Sequence, residues 1–269
     1  MPPKKKDSKK KPTVKRVSSR EKPYPNRHPA TSQSPAVHDA ASVVAELRSL
    51  ANQKTLQGMS RYAIPSDKAF GVPVGTMRQL ARRLGRSHEL AAALWKTGWY
   101  EARMLASFVD DPQLVTPAQM DSWCRDFDSW AICDTACFHL FDRTPYAFPK
   151  IRQWADRKPE FEKRAAFALL ASVALHDKSA EDELFAQCLP LIESAATDER
   201  NFVKKSLVWA LRSVGERSIA LNAAANMVAQ RLSATPDATA RWIGKTTLRE
   251  LGSPAARQRL SKKRRAGTQ

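Results

Sequence analysis

From about residue 39 to residue 251 the apolar side chains of this chain recur at helical spacing, and nowhere do Val, Ile and Thr alternate as in a strand. This pattern predicts an all-α architecture without a sheet. Asp39 opens a first helix carrying Val43, Val44, Leu47 and Leu50, and a short one follows through Leu56 to Tyr62. Beyond the turn-rich connector 70–75, helices are expected around Met77 to Leu84, Ser87 to Lys96 and Trp99 to Val109. Thr116-Pro117 reads as a cap followed by proline at the first helical position. Further helices are expected near 146–156, 159–176, 180–195, 199–214, 216–233 and 236–251.

The helices look like degenerate copies of one unit. Glu101 to Phe108, Lys163 to Leu170 and Lys204 to Leu211 resemble one another, and Arg164, Lys205 and Arg241 are separated by 41 and 36 residues. Helix pairs at that period suggest HEAT-like, ARM-type repeats stacked into a curved solenoid. The second helix of each pair would line a concave face, and these second helices begin with basic residues.

Charge divides the chain into three. The formal net charge is +18, of which residues 1–38 carry +9 and residues 257–265 carry +6, leaving +3 for the body between. The expected organisation is a disordered basic arm (1–38), a helical repeat domain (39–252) and a basic tail (253–269). Such tails suit a polyanion, nucleic acid before anionic membrane; a solubilising extension is the alternative. Lys4-Lys5-Lys6 and Lys9-Lys10-Lys11 fit a nuclear-import signal or a DNA-binding arm equally. No apolar run approaches the ~18 residues of a membrane span, so no membrane partner is expected. The N-terminus lacks the apolar core of a secretory signal. Cys124, Cys133, Cys137 and Cys188 lie in helical patterns without zinc-type spacing, and they read as reduced core residues. No metal and no cofactor are expected.

Within the body, the stretch 127–137 reads as a helix start with Asp128 or Ser129 at the N-cap. Trp130 and Asp134 are four apart and share a face. They sit at the flank of the stripe formed by Cys133, Ala136, Cys137, Leu140 and Phe141, where a carboxylate is half desolvated. Taken alone, they fit a core tryptophan and a solvated helix residue. On the helix near 202–216, Trp209 lies opposite Val203, Leu207, Ala210, Leu211 and Val214, flanked by Lys205, Arg212 and Ser213. Tryptophan among cations on one face suits nucleic acid, with cations meeting phosphates and the indole packing on sugar or base; covering the gap to the next repeat is the alternative. On the helix near 160–175, Arg164 stands opposite the apolar side beside small Ala168 and Ala171. It suits a bidentate phosphate contact or an ion pair with Glu160 one turn earlier. If these faces align, the groove contains two indoles, guanidiniums and one carboxylate. A carboxylate among phosphate-binding cations suggests that positive charge develops on the ligand, which points from a binding module towards an enzyme.

Four motifs then carry a resemblance to the HEAT-like DNA alkylation repair glycosylases of the AlkD type, from about Met59 to Leu251. Met59-Ser60-Arg61-Tyr62 resembles an N-terminal M-x-R-Y. Ser129-Trp130-Ala131-Ile132-Cys133-Asp134 resembles S-W-x-x-x-D, and Lys163-Arg164-Ala165-Ala166 resembles Q/K-R-A-A. Phe202 to Arg212 resembles F-x-x-K-x-x-x-W-x-L-R. The resemblance implies a monofunctional DNA glycosylase that excises cationic N3- and N7-alkylated purines from duplex DNA. Asp134 would be its catalytic carboxylate, Trp130, Trp209 and Tyr62 would line the lesion cleft, and Arg164, Arg212 and Lys205 would hold phosphates. A monomer is expected, cytoplasmic and nucleoid-associated, or nuclear in a eukaryote. A non-catalytic DNA-binding repeat protein, or a scaffold for an acidic protein, remains the alternative.

Overall fold

The computed structural model of the chain describes residues 39–266, with side chains to residue 261. The expected N-terminal arm, 1–38, lies outside the described residues. Among those described there is no strand. Helix α1 (Ala40–Ser49) starts where Asp39 accepts from the Ser42 N–H at 2.7 Å. Asn52 caps α2 (Gln53–Met59) in the same way, and a 3-10 turn over Ser60–Tyr62 follows it. Next come α3 (Val74–Leu84), α4 (His88–Lys96) with Ser87 as cap, and α5 (Tyr100–Val109). Thr116 caps α6 (Pro117–Arg125), as its sequence indicates. Then follow α7 (Trp130–His139), a 3-10 turn at Phe141–Arg143, α8 (Ala147–Ala155) and α9 (Glu160–His176).

The helix expected near 180–195 is two: α10 (Asp182–Ala186) and α11 (Leu189–Ser194). Pro190 explains the break, since it donates no N–H and crowds the preceding turn. After α12 (Asn201–Gly215), α13 (Ile219–Ala234) and α14 (Ala238–Leu251), the chain continues into α15 (Pro254–Ala266), so the basic tail is helical over most of its length.

The second helices of successive pairs form one row: α3 packs on α5, α5 on α7, α7 on α9, α9 on α12, and α12 on α14. Helices α4, α8 and α13 back this row against α5, α9 and α14. This is the HEAT-like arrangement that the repeat predicts. Helix α9 is enclosed by α7, α8 and α12, and every residue from Arg164 to Ala174 is buried. Phe167 on this helix is fully buried, as are Phe141 and Trp154 on the elements that precede it. The four cysteines are free and buried, and burial pushes the Cys188 thiol up to about 11.

Two buried features test the packing. Gly244 lets α14 approach α13 so closely that an added Cβ would stand 2.4 Å from Ser233 N and 2.5 Å from Ala229 O. Gly244→Ala is therefore expected to destabilise the fold by about 3 kcal/mol, because backbone rather than a flexible side chain must move; urea unfolding measures it. Glu101 is fully buried and accepts the N–H groups of Phe70, Gly71 and Val72 at 2.7–3.2 Å. Its carboxylate thus holds the loop in which Gly71 adopts φ +77°. Glu101→Ala would orphan those donors at a cost of about 3 kcal/mol, again read by urea unfolding.

Candidate active site

The N-terminus of α7 is built by what precedes it. Ser129 is the N-cap by backbone conformation, but its side chain makes no capping bond and its buried Oγ has no partner. Asp128 is exposed and pairs with Arg103 at 3.5 Å. Small buried residues then let α7 lie close to α9: Cys133 Sγ donates to the Phe161 carbonyl at 3.7 Å and Cys137 Sγ to the Ala165 carbonyl at 3.6 Å. Trp130 and Asp134 stand at the flank of that contact and are both half-buried, as their helical positions indicate.

Trp130 is oriented from the far end of the chain. Its Nε1 donates to the Tyr62 carbonyl at 2.8 Å, joining α7 to the Ser60–Tyr62 turn. Tyr62 itself is 65% exposed. Two of the expected cleft residues are thereby brought together, although Tyr62 belongs to a 3-10 turn and not to an α-helix.

Arg164 departs from the expectation. It is only 6% exposed and faces neither solvent nor Glu160. Its Nε donates to Asp134 Oδ1 at 2.8 Å, its Nη2 to Asp134 Oδ2 at 2.7 Å, and its Nη1 to the Phe202 carbonyl at 2.6 Å. The contacts it makes form a carboxylate clamp: each of the three guanidinium nitrogens donates to a protein acceptor, two of them to Asp134. The helical wheel misled because it assumes one buried side, whereas α9 is covered on all sides.

The clamp sets the electrostatics. Burial pushes the Asp134 carboxyl above the usual carboxylate range, and the Arg164 guanidinium opposes that shift. The pairing in turn raises the Arg164 pKa, so the arginine stays charged. About 20% of the Asp134 side chain remains accessible, so the carboxylate still reaches an incoming group. Beside it, Lys163 and Arg200 both pair with Asp198, whose carboxyl they hold down at about 2, and Glu160 accepts from the Phe202 N–H at 3.3 Å. These contacts fix the start of α9 against the start of α12.

The α12 residues are less concentrated than expected. Trp209 is half-buried and packs on the core, and Lys205 is exposed. Neither is hydrogen-bonded to Asp134 or Trp130. Arg212 pairs with Glu250 at 2.8 Å and lines a cleft of about 600 Å³ with Arg249 and Arg259. The indole that meets a lysine is Trp242, with Lys204 Nζ 5.4 Å from its ring centre and 41% of the residue exposed. A second feature was legible only as spacing: Arg78, Arg82 and Arg86 recur every four residues and stand exposed along one side of α3 and its end. Among the described residues no group of three or more His, Cys, Asp or Glu could hold a metal ion, and no helix is long and apolar enough to cross a membrane.

Fold and site together define a HEAT-like helical repeat protein with a clamped carboxylate beside an indole. A solved structure described as a new family of proteins related to the HEAT-like repeat DNA glycosylases with affinity for branched DNA structures matches with a TM-score of 0.64. The match covers 72% of this chain and 83% of that one at 19% identity, a likeness of fold. No curated protein matches the sequence. The chain belongs to the DNA alkylation repair enzyme family, whose model matches residues 43–242.

Proposed function

We propose that this protein is a monofunctional DNA glycosylase that releases N3- and N7-alkylated purines from duplex DNA. The observation that carries the proposal is the partly accessible Asp134 carboxylate, held bidentately by a buried arginine beside Trp130. Alkylation at N3 or N7 places positive charge on the purine and weakens its glycosidic bond. As that bond breaks, the electron pair leaves with the base, and positive charge passes to the deoxyribose as an oxocarbenium ion. A fixed anion at that point lowers the barrier without reorganising when the charge appears. Asp134 also accepts a hydrogen bond from a water, directs its oxygen to the anomeric carbon and takes up the proton released as the new C–O bond forms. Arg164 acts through Asp134: two parallel bonds fix the carboxylate plane and favour its ionised form. Trp130 and Tyr62 offer aromatic surface for the sugar and lesion, and Trp209, Lys205 and Arg212 extend the contact along the DNA.

Incubating the protein with methylated duplex and identifying the released bases by mass spectrometry tests the reading. Free 7-methylguanine or 3-methyladenine above the spontaneous rate is expected; DNA binding with no release would leave a binding protein. That second reading is favoured by one finding, the branched-DNA affinity described for the structural relative. Comparing binding to a four-way junction and to linear duplex addresses it.

A further inference from the structure

Arg78 and Arg82 of α3 and Arg86 just beyond its end frame a cleft of about 460 Å³ with Ala81, Phe108 and His139. Its cations are not compensated. Arg78, Arg82 and Arg86 are all exposed and none forms an ion pair with a described carboxylate. By contrast, neighbouring Arg83 is taken up by Glu46. Arg86 Nη1 donates to the Asp110 carbonyl at 2.7 Å, which sets its guanidinium at the cleft edge. Arg78 lies over the Phe108 ring, 5.7 Å from its centre, and its Nη2 meets His139 Nε2 at 3.1 Å. Burial, with help from Arg78 and Arg143, pushes the His139 imidazole down to about 4. It is therefore neutral at pH 7 and accepts the Arg78 N–H. Arg143, also exposed, donates to the His139 carbonyl at 2.6 Å, adding a fourth guanidinium beside the cleft.

Three helices thus hold a group of guanidiniums in place with an aromatic ring and a neutral imidazole for support and no acid in the lining. Like charges gathered in this way repel one another, and an anion relieves them. Arginine's planar fork matches phosphate, and Arg78 and Arg82, four apart, present two such forks on one face of α3. His139 lies five residues beyond Asp134 on α7, about 7.5 Å along the helix axis and about 140° around it, so the cleft and the carboxylate occupy different faces of that helix.

We propose that this cleft is a clamp for the phosphodiester backbone of DNA, distinct from the Asp134 site. It rests on DNA as the partner but not on the chemistry assigned to Asp134.

Fluorescence anisotropy with unmodified duplex over a range of salt tests it. Arg86 also supports the Asp110 carbonyl, so the informative variant is the double Arg78→Gln/Arg82→Gln, both positions being exposed. A control variant changes Lys96, Arg125 and Lys158, also exposed, to Gln. Each lost phosphate contact lowers the salt slope by about 0.9, so the double variant should lose about two units of slope and bind about 10-fold more weakly. The control should retain most of the wild-type slope. An unchanged slope in the double variant, or an equal loss in the control, would overturn the clamp. If wild type itself fails to bind duplex, the DNA reading falls as well. Inorganic phosphate, titrated by calorimetry, should not distinguish wild type from the double variant. A phosphate signal confined to wild type, with duplex binding unaltered by the substitutions, would make the cleft a small-anion site and reject the assignment.

Discussion

Asp134→Asn is expected to slow release of 7-methylguanine from methylated duplex by at least about 100-fold, the usual cost of removing a preorganised electrostatic group from a transition state. Asparagine keeps the shape and one acceptor oxygen but supplies no charge to an oxocarbenium ion. DNA binding should stay the same or tighten slightly, since a carboxylate that repels phosphate has been neutralised. The substitution also strands the buried Arg164 charge, for which about 3 kcal/mol of destabilisation is expected. For a domain of this size that is roughly a 10 °C fall in Tm. Release must therefore be measured well below the variant's own transition, with circular dichroism confirming the fold. Unchanged release by the folded variant would remove Asp134 from the chemistry.

Removing the clamp should show itself in the pH profile. In Arg164→Ala the carboxylate keeps its burial, which raises its pKa, and loses the cation that opposes that shift. The Asp134 pKa then rises further. Because the proposed chemistry uses the ionised form, activity should be lost as pH falls through that pKa, and the acid limb of kcat/KM should move to higher pH. Stability should fall by about 4 kcal/mol, because an unpaired carboxylate is left behind and the Phe202 carbonyl loses its donor. Arg164→Lys separates the two roles: a point charge close to Asp134 limits the pKa rise, but it cannot make the bidentate pair. Its acid limb should lie between those of wild type and Arg164→Ala. A purely structural arginine would lower Tm in both variants and leave the acid limb where it was.

Much of the fold was legible because its signals are local. Asp39, Ser87 and Thr116-Pro117 each open a helix where their side chains meet free N–H groups, and the absence of strand alternation holds for the described residues. The pairing of Trp130 with Asp134 on one flank followed from a four-residue spacing. What was hidden depends on neighbours. No spacing tells that Arg164 turns towards α7, because residues 134 and 164 meet only through the packing of two repeats. Nor does any local pattern tie Trp130 Nε1 to a carbonyl 68 residues earlier. The α3 arginines had a visible period, but an exposed cationic stripe usually means a solvated face. Only the ring of Phe108, the neutral His139 and the lack of carboxylate partners set this one apart.

The enclosure of α9 has a consequence for how the protein opens. In a stack of repeats, local unfolding proceeds from the ends, and the interior exchanges its amide hydrogens last. The unbroken buried run from Arg164 to Ala174 marks α9 as the slowest-exchanging helix, and the arginine that holds Asp134 is anchored on it. Terminal helices such as α1 and α15 can fray and re-form around a polymer of irregular shape while the carboxylate keeps its aim. Breathing at the edges and rigidity at the centre are thereby separated along the sequence, with no hinge needed between them.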